Sequence, residues 1–173
     1  MSSASRSARV GAPAPDAELF TDAMAGLASG VAVVTAVRAD GQPCGLTATS
    51  ISAYSSDPPS VLVSIGHGSR CHSAVVAGGE CFAVHLLRST QEDVARVFAS
   101  RSDDKFAGLE WYWDGEVPRI EGVLVYLRCR RAAVFERYDH SILVGDAEGG
   151  FAEDGDPLVY MARRMDWRLS GPV

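Results

Sequence analysis

The chain has 173 residues, of which 47% are hydrophobic and 22% charged, with a formal net charge of −6. That length suits one domain with a core of its own, and the acidic balance argues against a nucleic-acid partner, since neutralising phosphates takes a basic face. No apolar run approaches the roughly 20 residues of a membrane span.

Residues 1–15, MSSASRSARVGAPAP, carry two Arg but no apolar signal core, and read as a flexible tail before a domain over 16–173. Asp16 to Ala28 predicts a helix. Leu19, Phe20, Ala23, Met24 and Leu27 recur at helical spacing, Asp16 caps the start, and Gly30 stops it. VAVVTAVRADGQPCGLTA then reads as a hairpin turning at ADGQ. DPP at 57–59 breaks the chain, and SVLVSIG follows as an apolar interior strand. Ser69 to Ala77 reads as a short helix and CFAVHLL as a strand. STQEDVARVFASR predicts a helix capped by Ser89, with Glu92 completing a capping box and Val94, Val97 and Phe98 facing inward.

Ser102 to Glu121 is an irregular stretch carrying Phe106, Trp111, Tyr112 and Trp113, either a pocket wall or a set of plugs for a core. GVLVYLRCRRAAVFERYD, HSILVGDAEGGF and DPLVYMARRMDWRL are strand-like. Strands joined by short turns, with helices early and midway, predict a mainly β antiparallel barrel with appended helices rather than a βαβ repeat.

The chemistry-bearing residues exclude more than they assert. Gly66-x-Gly68 invites a dinucleotide fingerprint, but the third glycine position is Cys71 and no acid closes the next strand. What remains there is an anion pocket of two glycines, Ser69 and Arg70 beside a helix start. Arg128, Arg130 and Arg131 form a second small basic group. Among the four histidines, His67 and His72 lie close in sequence without a further Cys/His pair at finger spacing, so no metal role is assigned. His85 sits mid-strand, where a structural role fits, and His140 starts a strand at a position suited to a cleft mouth. There is no G-x-S-x-G elbow, and no carboxylate pair is localised. The four cysteines form no CxxC and read as reduced thiols of a cytoplasmic protein.

One segment stands out. From Gly45 to Ser56 the chain is crowded with Thr47, Thr49, Ser50, Ser52, Ser55 and Ser56. Such hydroxyls suit a blunted sheet edge. They equally suit a slender surface for a bound cofactor that brings its own reactivity.

GVAVVTAVRADGQPCGLTATSISAYSSDPPSVLVSIG, then CFAVHLL, DKFAGLEW, YDHSILVG and DPLVYM, resemble the short-chain flavin reductases, the reductase components of two-component flavin monooxygenases. The resemblance runs from about Leu19 to Leu169. It implies a six-stranded antiparallel Greek-key split barrel, a homodimer, and an NAD(P)H:flavin oxidoreductase that hands reduced flavin to a separate monooxygenase. FAD or FMN and NADH, less so NADPH, are the implied nucleotides. By the same resemblance Gly30, Val31 and Val33 lie along the flavin, as do Thr47, Ala48, Thr49 and Ser50. Ser64, Ile65 and Gly66 with Ser69 and Arg70 reach its ribityl and phosphate end, His85 stands on the flavin side, and His140 holds the nicotinamide. No catalytic side chain is implied, because hydride passes between stacked rings. Two departures are visible: Tyr138 precedes Asp139-His140 where the family has Gly, and His85 replaces an Asn. The alternative is a split barrel that binds flavin or haem without turnover.

Overall fold

The structure, a computed structural model, describes residues 16–169; the tail expected over 1–15 lies outside them. Helix α1 spans Ala17–Ala25. Strands β1 (Ser29–Gly30), β2 (Ala32–Val37), β3 (Pro43–Ala48), β4 (Ile51–Ser56) and β5 (Pro59–Gly66) follow. Helix α2 (His72–Ala77), strand β6 (Cys81–Leu86) and helix α3 (Glu92–Ala99) form the middle of the chain. The remainder is β7 (Trp111–Asp114), β8 (Val117–Ile120), β9 (Val125–Arg137), β10 (His140–Ala152) and β11 (Val159–Tyr160).

The main sheet is antiparallel with seven strands in the order β3-β2-β6-β9-β10-β5-β4. The expected count of six is therefore corrected. The added strand is β4, ISAYSS, whose hydroxyls hide the alternation that marks a strand. Strands β3 and β4 are the two edges of the sheet, yet only Thr49 and Ser50 separate them in sequence. A linker that short spans about 11 Å between flanking Cα atoms at most, so the sheet must curl until its edges meet. Ser50 stitches the meeting point: its carbonyl accepts from Ser64 N–H at 3.2 Å, and its hydroxyl donates to the Ser64 carbonyl at 2.7 Å.

Strand β2 is buried on both faces, which explains its run of apolar residues; the one polar member, Thr35, donates its hydroxyl to the Pro118 carbonyl at 2.6 Å. Ala32, Val34 and Ala36 point into one core with Val63, Ile65, Phe82, Val84 and Leu143, plugged by Val75 of α2. Val31 and Val33 point the other way, into a second core with Val94, Phe98, Phe106, Ile120 and Tyr126. The aromatic stretch belongs to that second core. Phe98, Phe106 and Trp111 stack edge to face at centroid distances of 5.1 and 5.0 Å, and the stretch ends in the β7–β8 hairpin.

Three local expectations change. α1 keeps its Asp16 cap, which accepts from Leu19 N–H at 2.8 Å, but it ends at Gly26; Gly30 pairs with Val159 in β1–β11 instead. α3 starts after Gln91, whose side chain accepts from Arg88 N–H, so Ser89 is not its cap. Ala95 rather than Val97 faces the core with Val94 and Phe98. The four cysteines are free thiols. Among the described residues no helix is long and apolar enough to cross a membrane.

Candidate functional site

A cleft of about 490 Å³ opens where the sheet edges meet. Its floor is the end of β3 and the linker, Thr47, Ala48, Thr49 and Ser50. One wall is the end of β5, Ser64, Ile65 and Gly66, continuing into Gly68, Ser69 and Arg70. The other wall is the end of α3 and the residues after it, from Phe98 to Arg101, with Lys105.

The slender side chains are held down rather than aimed into the space. The Thr47 hydroxyl donates to the Ala95 carbonyl at 2.6 Å, which fastens β3 to α3. The Ser69 hydroxyl accepts from Cys71 N–H at 3.3 Å. Such anchoring keeps the main chain accessible to a flat ligand along residues 47–50. The rim is cationic. Arg70 donates to the Arg101 carbonyl at 2.6 Å and pairs with Asp103 at 2.6 Å, so its fork is fixed at the cleft edge. Lys105 Nζ donates to the carbonyls of Gly45 at 3.2 Å and Phe98 at 2.8 Å and carries its charge beside the floor. Arg101 lines the cleft between them.

The His140 imidazole lies over Gly66, its Nε2 3.4 Å from where a Cβ would stand. His140 pairs with Gly66 in the β10–β5 ladder, which puts the ring at the cleft end, half exposed. Its Nδ1 faces Asp139 Oδ1 at 2.9 Å, and that hydrogen bond holds the Asp139 carboxyl below its ordinary range. Tyr138 adopts φ +54° at the first position of the two-residue turn between Arg137 and His140. Glycine is at home in that conformation, and the ring, 84% exposed, carries the Arg137 guanidinium 4.3 Å from its centroid.

The structure brings Thr47, Ala48, Thr49, Ser50, Ser64, Ile65, Gly66, Ser69 and Arg70 together around one cleft, although they come from three separate segments. It places four other candidates elsewhere. Val31 and Val33 are buried in the second core because the period of a strand sends odd and even residues of β2 to opposite faces. Gly30 lies in the β1–β11 pair. His85 is wholly buried: Ile120 N–H donates to its Nε2 at 3.1 Å, and its Nδ1 meets the Val33 carbonyl at 3.2 Å. With Nε2 accepting, Nδ1 must carry the proton, so both ring nitrogens are satisfied in the neutral form. Burial lowers its pKa to about 4. His85 is thus a structural clasp between β2, β6 and β8, off the cleft. Sequence reasoning missed Arg101 and Lys105, because SRSDDK after α3 reads as a solvated charge run.

The curled antiparallel sheet, the slender cleft at its open seam and the cationic rim define a split barrel built to take a nucleotide with a flat ring. Residues 24–167 match the model of the flavin reductase like domain. The chain is 44% identical over 135 residues to the NADH:riboflavin 5'-phosphate oxidoreductase of Streptomyces pristinaespiralis, covering 77% of this chain and 76% of that protein. It is 38% identical over 154 residues to the reductase component of 4-hydroxyphenylacetate 3-monooxygenase of Thermus thermophilus, covering 87% and 97%. Among solved structures, the NADH:FAD oxidoreductase SgcE6 of Streptomyces globisporus C-1027, in complex with NAD and FAD fragments, superimposes with a TM-score of 0.83 at 28% identity, over 90% of this chain and 94% of that one. Two further matches are longer proteins, of which this chain spans 42% and 52%. The chain belongs to the flavin reductase family.

Proposed function

We propose that this protein is an NADH-dependent flavin reductase that reduces FAD or FMN and supplies the reduced flavin to a separate monooxygenase. The observation that carries the reading is the convergence of Thr47–Ser50, Ser64–Gly66 and Ser69–Arg70 on one cleft with Arg101 and Lys105 at its rim. The residues fit a flavin. Small side chains let main-chain N–H groups approach the hydrogen-bonding edge of a flat ring, and three cations suit its phosphate.

A bound flavin would supply the redox chemistry as the acceptor of hydride from a nicotinamide. The protein's own contribution is positioning. Residues 47–50 present backbone donors where negative charge develops on the ring. Arg70, Arg101 and Lys105 hold the phosphate end, and Ser64 and Ser69 take the ribityl hydroxyls. His140, seated on Gly66 and oriented by Asp139, holds the nicotinamide at the cleft end. No side chain has to accept a proton for hydride to pass, which agrees with a cleft lined by hydroxyls and cations.

The reading includes a cytoplasmic homodimer. Leu19, Phe20, Met24 and Leu27 on and just after α1 are 60%, 58%, 46% and 57% exposed, an amphipathic face without a cover in the single chain. A second copy of the chain is its expected cover, and sedimentation velocity tests it. For the activity, purified protein is mixed with NADH and FAD or FMN and absorbance at 340 nm is followed. Flavin-dependent loss of NADH is the expected result. Absence of NADH loss with both flavins refutes the proposal.

A further inference from the structure

On the face of the hairpin opposite His140 lies a group of side chains that flavin reduction does not use. Among the described residues, His67, His72 and Glu136 place one ligand atom each within 4.8 Å of the others. His67 follows β5, His72 opens α2 five residues later, and Glu136 comes from the end of β9, so two distant segments meet there. His67 Nε2 already lies 2.8 Å from Glu136 Oε2. The two imidazoles meet edge to face with centroids 4.9 Å apart.

We propose that His67, His72 and Glu136 form a binding site for a divalent transition metal, zinc in the first instance. Two imidazoles and a carboxylate are a ligand set that zinc takes with a water in the fourth position. Bonds of about 2.0–2.1 Å at tetrahedral angles put ligand atoms about 3.3 Å apart. The present spread closes to that by rotation of His67, whose side chain is 40% exposed, and by a turn of His72 away from Ser141, while Glu136 stays on the Ser141 hydroxyl. The less mobile partners are already fixed. The fully buried Ser141 hydroxyl lies 2.9 and 2.8 Å from the two Glu136 oxygens and 2.6 Å from His72 Nε2. It holds the carboxylate from behind, as the oriented ligands of metal sites are held. On binding, His72 exchanges that contact for the metal and Ser141 keeps Glu136.

Sequence spacing hides this site, because Glu136 lies 69 residues beyond His67. The consequence for the molecule is local fastening. The metal ties the β5–α2 loop and the start of α2 to the end of β9. His67 lies between Gly66 and Gly68, both of which line the cleft.

The experiment titrates zinc chloride into the full-length chain, after chelator treatment, by calorimetry at near-neutral pH and with a thermal melt in parallel. One zinc per chain and a raised melting temperature are expected. His72→Ala and the milder Glu136→Gln, at an exposed position where the amide still meets Ser141, are each expected to weaken uptake about tenfold or more and to abolish the thermal shift. Cobalt(II) in place of zinc separates this site from the thiols: a spectrum without a thiolate charge-transfer band is expected. A thiolate band, no uptake by the wild type, or uptake unchanged in both variants overturns the proposal.

Discussion

His85 allows the sharpest test of how the barrel is held together. Its ordinary pKa of 6.5 falls to about 4 in the fold, chiefly because burial penalises the charged ring. A lowered histidine pKa means that the unfolded chain binds the proton more readily than the folded one. Stability from this group is therefore complete above pH 6.5 and is lost as the pH falls toward 4. Each unit of difference is worth about 1.4 kcal/mol, so the whole window carries about 3 kcal/mol, and acidification from about pH 7 to about pH 5 removes about 2 kcal/mol. Other groups also titrate in this range, so the comparison is between the wild type and His85→Asn, which keeps a polar side chain but cannot take up a proton. Urea unfolding at both pH values is the assay. The variant has a lower baseline, having lost geometry tuned to Ile120 N–H and the Val33 carbonyl, and a pH response flatter by about 2 kcal/mol. Its KM for flavin stays at the wild-type value, because the ring lies off the cleft. Parallel pH curves for the two proteins, or a raised flavin KM in the variant, refute the reasoning.

Three further outcomes follow from the same geometry. Arg101→Ala removes a rim cation and raises KM for FMN about tenfold with little change in kcat, the scale of one charge-assisted hydrogen bond near solvent; KM for riboflavin, which lacks the phosphate, stays the same in steady-state assays. Gly45→Ala places a Cβ 2.6 Å from Phe98 Cε1 and 3.1 Å from the Val34 carbonyl, and Phe98 cannot retreat because Phe106 packs on it; stability falls by about 1–3 kcal/mol in urea unfolding, and flavin binds more weakly by calorimetry because Phe98 lines the cleft. Tyr138→Gly relieves a φ of +54° and raises stability by about 1 kcal/mol, the left-handed strain of about 1–2 kcal/mol less the added freedom of the unfolded glycine, read as a higher urea midpoint.

The legible parts of this molecule are those where a local signal and the tertiary environment agree. VAVVTAVRADGQPCGLTA announces a hairpin, and β2 and β3 pair as one. Asp16 announces a helix start and makes the capping bond. The unreadable parts are those where two environments share one signal. Ser89 and Gln91 both offer side-chain oxygens near the start of α3, and Gln91 precedes the first helical residue. The resemblance puts Val31 and Val33 along the flavin, whereas the structure packs both into the second core, on the side of the sheet away from Ala32 and Val34. Mid-strand His85 suited either a structural or a flavin-side role from sequence, and only the positions of Ile120 and Val33 decide it. The Ser/Thr stretch carried two meanings, a blunted edge and a slender ligand surface. The fold shows why both fit: β3 and β4 are the edges of the sheet, and the cleft lies where they meet.

That coincidence has a physical cause. A closed barrel pairs every strand and leaves no backbone edge to offer. An open sheet offers edges that invite another chain. Here the sheet curls with its two edge strands joined through Thr49 and Ser50, and the cleft lies between the end of β3, that linker and the end of β5. Part of the open edge is already answered from within: the Gly45 carbonyl accepts from Lys105 and from the Cys71 thiol. Beyond it, at 47–50, the side chains are small and the hydroxyls of Thr47 and Ser50 are tied back, which on the proposed function lets a planar ligand reach the main chain. Bulky residues at Thr49 and Ser50, which are less buried than Ala48, would narrow the seam without entering the core. On the proposed function, binding rests on a short run of slender residues and the rim cations favour an anionic ligand.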